Sequence, residues 1–111
     1  MYFVVFATDH PGNSALRTRT KALHSEHLDA AADGVRVLQT GPWLDADGNE
    51  AGSLLVLEAD SLPLVDAFMK ADPYAQAGLF SRVEIHPWLW RRGNPNLASG
   101  ASRVAGNPTS T

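Results

Sequence analysis

The sequence contains no cysteine, and this absence excludes disulfide bonds, thiolate catalysis and zinc sites built from cysteine. It also lacks any run of about 18 apolar residues, so we predict no membrane-spanning helix. The first seven residues carry no basic side chain and do not have the pattern of a secretory signal. Together these features favour a soluble protein of the reducing cytoplasm.

An excess of positive charge is missing as well. The formal net charge is -3, whereas proteins that bind nucleic acids or anionic membranes usually present a basic surface. The glycine-rich motifs that hold nucleotide phosphates are also absent. We therefore expect a small-molecule substrate, no nucleic-acid or membrane partner, and no cofactor.

Apolar periodicity and turn residues predict one α+β domain with the element order β-α-β-β-α-β, which is the ferredoxin-like arrangement. Asp47-Gly48 is typical of the turn between two antiparallel strands, and Pro73 should end the second helix at Asp72. Pro87 should bend the last strand or place it at an edge of the sheet. The predicted strands are 2–7, 35–40, 53–59 and 82–90, and the predicted helices are 13–33 and 60–72.

The first and third predicted strands are apolar on both faces, but the two helices cover only one face of the sheet. A second copy of the chain is the simplest cover for the other face, so we predict a two-fold symmetric homodimer. The domain should span residues 1–93. Residues 94–111 are rich in Gly, Asn, Pro, Ala, Ser and Thr, and this composition predicts a flexible tail.

Short motifs spread along the first 93 residues occur in a recognisable order. They are Met1-Tyr2-Phe3-Val4-Val5, His27-Leu28, Gly41-Pro42, Gly52-Ser53, Asp72-Pro73-Tyr74, Ala77-Gly78-Leu79-Phe80 and His86-Pro87-Trp88. In this order and spacing the chain resembles the YCII-related (YciI-like) family. The resemblance implies a ferredoxin-like fold that pairs into a dimeric α/β barrel.

The same resemblance implies a pocket with a His–Asp pair, which maps to His27 and Asp72. Many members carry Arg three residues before that His, whereas this chain has His24 there; the nearby cations are Arg17, Arg19 and Lys21. The family is largely enzymatic, and most members have no assigned substrate. A relative acts as a dehydrochlorinase on a chlorinated hydroxyhydroquinone, and the wider superfamily includes muconolactone isomerase-like proteins.

The residues themselves support acid–base chemistry at this pair. Imidazole exchanges protons near neutral pH, and a carboxylate that accepts from one ring nitrogen fixes its tautomer. On a helical wheel His27 falls on the stripe expected to meet the core, formed with Leu16, Leu23, Ala30 and Ala31. We predict that His27 is the general acid/base of a lyase or isomerase and that Asp72 orients it. The predicted substrate-binding residues are Tyr74, Ser53 and His24.

Each of these residues also has a purely structural interpretation. A core His bonded to an Asp that caps a helix or turn gives the same pair without chemistry, and a non-catalytic ligand-binding or interaction domain would use the same pocket. Tyr74 is equally suited to packing the turn at Pro73, and Ser53 to bonding the backbone. His24 and His27 have a spacing that can chelate a metal, but zinc sites usually need three or four protein ligands, so we predict no metal site.

Overall fold

In the part of the chain that the structure describes, four strands and three helices follow one another in the predicted order, with one short helix added. The computed structural model describes residues 1–30 and 34–95. The predicted end of the first helix near residue 33 lies outside this range, as does the predicted tail from residue 96 onward. The elements are β1 (Tyr2–Asp9), α1 (Ser14–Ala30), β2 (Val35–Leu44), β3 (Glu50–Ala59), α2 (Leu62–Ala71), α3 (Pro73–Gln76) and β4 (Phe80–Trp88).

The strands form one antiparallel sheet in the order β2-β3-β1-β4. The two strand prolines, Pro42 and Pro87, lie on the two edge strands. An edge strand tolerates proline because the sheet does not need a hydrogen bond from every backbone N–H there. β2 therefore continues through Gly41-Pro42 to Leu44 instead of ending at Thr40. The ferredoxin-like α+β prediction is confirmed.

The hydrophobic core lies between one face of the sheet and α2. Phe3, Val5, Leu55 and Leu57 point to this face and are completely buried, and burying an apolar side chain of this size contributes about 1.5–3 kcal/mol. The core residues of the sheet are Phe3, Val5, Val35, Leu55, Leu57 and Ala59, and those of α2 are Val65, Phe68 and Met69. This packing joins α2 to β1 and β3.

Helix α1 does not present the predicted apolar stripe to the interior. Its buried residues are Arg17, Thr20 and His24, whereas Leu23 is 58% exposed. The predicted stripe is thus wrong by about one residue of helix rotation, which is 100°. The physical reason is that this face of α1 meets a polar site and the short helix α3, so hydrophobicity does not mark the buried side.

The centre of the sheet face opposite the helices is apolar, and within the described part of the chain no helix or strand covers it. It exposes Phe6, Leu54 and Trp88 at 37–42% of their surfaces, and we call it the open sheet face. Trp43 stacks on Phe6 there, with ring centroids 4.9 Å apart. Within residues 1–30 and 34–95, none of the helices has the length and apolar character needed to span a membrane.

Gly52 lies near the start of β3, next to Ser53. The Trp43 indole lies across Gly52 and donates its Nε1–H to the carbonyl of Ala7 at 2.7 Å. A Cβ at residue 52 would collide with both the indole ring and that carbonyl oxygen. Residue 52 must therefore be glycine, because the Trp43 indole and the Ala7 carbonyl come too close for a side chain. The hydrogen bond of Trp43 stabilises the register of β1, β2 and β3 at this end of the sheet.

Candidate functional site: a buried His24–Asp72 pair with Tyr74 and Arg17

His24 and Asp72 form a buried hydrogen-bonded pair. Nδ1 of His24 lies 2.9 and 3.0 Å from the two carboxylate oxygens of Asp72. The Asp72 side chain is completely buried, and the His24 side chain is 10% exposed. Because an ionised carboxylate only accepts hydrogen bonds, Nδ1 carries the proton in this arrangement and Nε2 of a neutral ring is left as an acceptor.

Local sequence places the Asp72 carboxylate. Pro73 disfavours helical geometry at the residue before it, and Asp72 indeed leaves α2 with φ -62° and ψ 129°. In that extended conformation it is the N-cap of α3, and its Oδ1 accepts the backbone N–H of Tyr74 at 2.9 Å. Two N–H donors, one from His24 and one from the backbone, thus compensate the buried charge.

His27 does not pair with Asp72, and the predicted partnership is corrected to His24. The Nε2–H of His27 donates to the carbonyl oxygen of Phe68 at 3.0 Å, and its ring stacks on the Phe68 ring at 4.4 Å. That carbonyl belongs to the last turn of α2, where backbone acceptors have no partner within the helix. His27 therefore joins α1 to the end of α2 through a structural contact.

Tyr74 lies against both polar side chains of α1. Its ring stacks on His24 with centroids 3.9 Å apart and planes inclined by 17°, and the guanidinium carbon of Arg17 lies 4.7 Å from its centroid. Burial raises the pKa of the Tyr74 hydroxyl, although Arg17 opposes this effect. The phenol is therefore protonated at neutral pH and can donate a hydrogen bond.

Arg17 is held by the ends of two strands. Its Nε and Nη2 donate to the two carboxylate oxygens of Asp9 at 2.7 and 2.9 Å, and Nη2 also donates to Ser53 Oγ at 2.9 Å. Burial by itself lowers the pKa of Arg17, but the hydrogen bond and charge of Asp9 outweigh it and raise the pKa. The guanidinium is permanently charged and its fork is fixed.

Backbone hydrogen bonds bring these elements together. The N–H of Leu79 donates to the carbonyl of Tyr74 at 3.0 Å, and the N–H of His10 donates to the carbonyl of Leu79 at 2.8 Å. The turn after α3 is thereby tied to the end of β1, directly beside Asp9. The polar site therefore lies between α1, α3 and the ends of β1 and β3.

Of the residues predicted from sequence, the structure brings together Asp72, Tyr74, His24 and, through Arg17, Ser53. It leaves His27 outside this group. Arg17 was identified only as a nearby cation, and Asp9 was not identified at all. A usable signal did exist, since the three buried residues of α1 are polar and spaced as i, i+3 and i+7.

The rings of His24 and His27 have different surroundings, although their spacing along α1 would allow them to share a metal ion. The two rings have different partners, Asp72 and Phe68. Within residues 1–30 and 34–95, no group of three or more potential ligands is close enough to hold a metal ion.

Comparison with known proteins identifies the family. The YCII-related domain model matches residues 1–89, and the chain belongs to this family. It is 30% identical to protein YciI of Escherichia coli over 94 residues, which cover 79% of this chain and 96% of that protein. An uncharacterised protein of Haemophilus influenzae is 29% identical over the same length, with the same coverage of both chains.

Solved structures agree with this assignment. The 5-chloro-2-hydroxyhydroquinone dehydrochlorinase TftG of Burkholderia phenoliruptrix, solved in complex with 2,5-dihydroxybenzoquinone, is 31% identical with a TM-score of 0.72. The match covers 80% of this chain and 94% of TftG. Protein Atu4242 of Agrobacterium tumefaciens matches at a TM-score of 0.54 and 11% identity, covering 86% of this chain and 98% of its own, and it shares the fold alone. The fold is thus that of the ferredoxin-like, dimeric α/β-barrel proteins.

Proposed function

We propose that this protein is a small-molecule enzyme of the lyase or isomerase type, in which His24 transfers a proton and Asp72 orients it. The observation that carries the proposal is the buried bond between His24 Nδ1 and the Asp72 carboxylate. A carboxylate in this position fixes the imidazole tautomer and stabilises the imidazolium that forms after proton abstraction. Asp72 keeps the role expected from sequence, while the general acid/base is His24 in place of His27.

The remaining ring nitrogen is the reactive one. Among residues 1–30 and 34–95, His24 Nε2 has no hydrogen-bond partner, and the side chain keeps 10% of its surface exposed. A neutral ring protonated at Nδ1 presents an acceptor at Nε2, which is what a general base requires. The geometry thus favours removal of a proton from a substrate hydroxyl or from carbon next to a carbonyl.

Tyr74 and Ser53 remain the proposed substrate-binding residues. The phenol of Tyr74 lies beside the proposed base and offers a donor to a substrate oxygen, since its proton is retained at neutral pH. Ser53 accepts from Arg17 through its oxygen, so its own hydroxyl proton is still available to a ligand.

The nature of TftG supports a hydroxylated and chlorinated ring as the substrate class. TftG acts on a chlorinated hydroxyhydroquinone and binds a dihydroxybenzoquinone. Removal of hydrogen chloride from such a ring, and migration of a double bond within it, both begin with the loss of a proton. His24 is placed to accept that proton in either reaction.

A homodimer forms part of the proposal. The open sheet face exposes Phe6, Leu54 and Trp88, and an apolar sheet face is normally covered by a second layer. A second copy packed on this face would close the barrel that is typical of the fold.

The function is tested by screening chlorinated and hydroxylated hydroquinones for turnover, followed by spectrophotometry and chloride release. We expect His24→Ala and Asp72→Asn to lose about 10²–10⁴-fold in kcat/KM, the usual contribution of a positioned acid/base group. His27→Leu is the matched control on the same helix and should retain activity. Undiminished turnover in both site variants would refute the proposal, and saturable ring binding without turnover would favour a non-catalytic binding domain.

A further inference from the structure

The charge of Arg17 is already matched within the protein. Its Nε and Nη2 form two parallel hydrogen bonds to Asp9, and the two side chains are only 6% and 8% exposed. A bidentate pair of this kind is the geometry in which a guanidinium would otherwise bind a substrate carboxylate or phosphate. In this chain Asp9 occupies that position.

We propose that Asp9 compensates the charge of Arg17 and thereby makes the site selective for an uncharged ring substrate over one that carries a carboxylate. This inference rests on the proposed function, and it adds Asp9 as a specificity-determining residue. Among residues 1–30 and 34–95, the two N–H groups of Arg17 Nη1 have no partner. They are suited to donate to a neutral hydroxyl or carbonyl oxygen.

The other charges around the site act in the same direction. Asp72 contributes a buried negative charge beside His24, and Glu50 at the start of β3 interacts electrostatically with both Arg17 and Tyr74. With His24 neutral, the buried side-chain charges of the site are therefore one cation, Arg17, and two carboxylates, Asp9 and Asp72. A substrate anion would meet a net negative environment, whereas a phenol or quinone would not.

The test compares two rings that differ only in a carboxylate, hydroquinone and 2,5-dihydroxybenzoate, by calorimetry on the full chain. Wild type should bind hydroquinone more tightly. Asp9→Asn should raise the affinity for 2,5-dihydroxybenzoate by about tenfold, roughly the contribution of one hydrogen bond to a charged group, and should change that for hydroquinone by less than about twofold. Asp66→Asn is the matched control, because it removes the same charge from the exposed pair with Lys70 on α2.

A second readout does not depend on enzyme function. The Nε–H resonance of Arg17 is followed by NMR during titration with benzoate alone. It should stay unchanged in wild type and in Asp66→Asn, and should shift in Asp9→Asn. If Asp9→Asn is poorly folded, Asp9→Ser provides the same comparison with a shorter side chain.

The outcomes separate this inference from the proposed function. Absence of turnover or of hydroquinone binding would count against the proposed function, while the benzoate titration would still decide the role of Asp9. A wild-type Arg17 resonance that shifts with benzoate would overturn the inference. Equal shifts of the Arg17 resonance with benzoate in Asp9→Asn and Asp66→Asn would also overturn the inference.

Discussion

Replacing Asp72 by Asn should invert the tautomer of His24 while the fold is retained. The Asp72 carboxylate accepts from His24 Nδ1 and from the backbone N–H of Tyr74. Asn is nearly the same shape but has one acceptor and one donor. If its oxygen keeps the backbone N–H of Tyr74, its NH₂ group takes the place of Oδ2, which lies 3.0 Å from Nδ1. A donor at that position favours a tautomer in which Nδ1 accepts. The proton moves to Nε2, and the proposed base is lost.

The magnitudes follow from these contacts. The variant keeps the backbone bond at α3 and exchanges a charged hydrogen bond for a neutral one, so the free energy of unfolding should fall by about 1–3 kcal/mol. Catalysis should fall much more, because the wrong tautomer costs about 10⁴-fold where a buried carboxylate orients a catalytic imidazole. A large loss of kcat with a small loss of stability is therefore the expected signature.

Nitrogen-15 NMR of the imidazole tests this directly, without a substrate. In spectra recorded at a pH where the His24 ring is neutral, wild type should show a pyrrole-type Nδ1 and a pyridine-type Nε2 at His24. Asp72→Asn should show the reverse. Asp66→Asn, an exposed Asp on α2, should leave the wild-type pattern. A His24 that stays protonated at Nδ1 in Asp72→Asn would refute the reasoning.

Three further predictions follow from the same structure. His27→Leu should lower the free energy of unfolding by about 1 kcal/mol, because the carbonyl of Phe68 loses its donor, and urea denaturation measures this; no loss would contradict the assigned structural role. Burial raises the pKa of Tyr74 above its ordinary 10.0, so above about pH 10 the unfolded chain loses the phenolic proton before the folded chain does, and the free energy of unfolding falls. Urea denaturation at pH 9 and 10.5 should show a smaller decrease in the free energy of unfolding for Tyr74→Phe than for wild type. Equal decreases would contradict the raised pKa of Tyr74. Leu54→Asp on the open sheet face should convert the proposed homodimer to a monomer in light scattering, whereas Leu23→Asp, at an exposed Leu on α1, should not; a wild-type monomer would remove the dimer from the proposal.

The fold could be predicted from sequence because its signals are local. Short apolar runs bounded by turn residues such as Asp47-Gly48 indicate the strands, and Pro73 predicts the end of α2 at Asp72. The extension of β2 past Pro42 is not predicted, because a strand continues through a proline only when it lies at the edge of a sheet. Whether a strand lies at an edge is a property of the whole sheet, which a local pattern does not contain.

The site was predicted only in part, for a related reason. On a helical wheel the apolar face of α1 is taken as the buried face, and this places His27 and not His24 in the interior. That assumption holds where a helix covers a hydrophobic core. It fails for α1, since Arg17 and His24 are buried against Asp9, Asp72 and other polar partners. These contacts join residues from separate elements, so the i, i+3, i+7 spacing of the polar residues on α1 does not indicate their partners.

The two helices thus have different tasks. Helix α2 covers the hydrophobic core with Val65, Phe68 and Met69, whereas α1 contributes its buried polar residues to the site. Buried ion pairs and hydrogen bonds are retained at a cost that well-packed apolar residues would not incur. An apolar face on α1 would therefore serve stability at least as well, so stability alone does not account for the polar one. The proposed chemistry at His24 would account for the polar face, and this is the strongest physical argument for the proposal that the chain is more than a structural subunit.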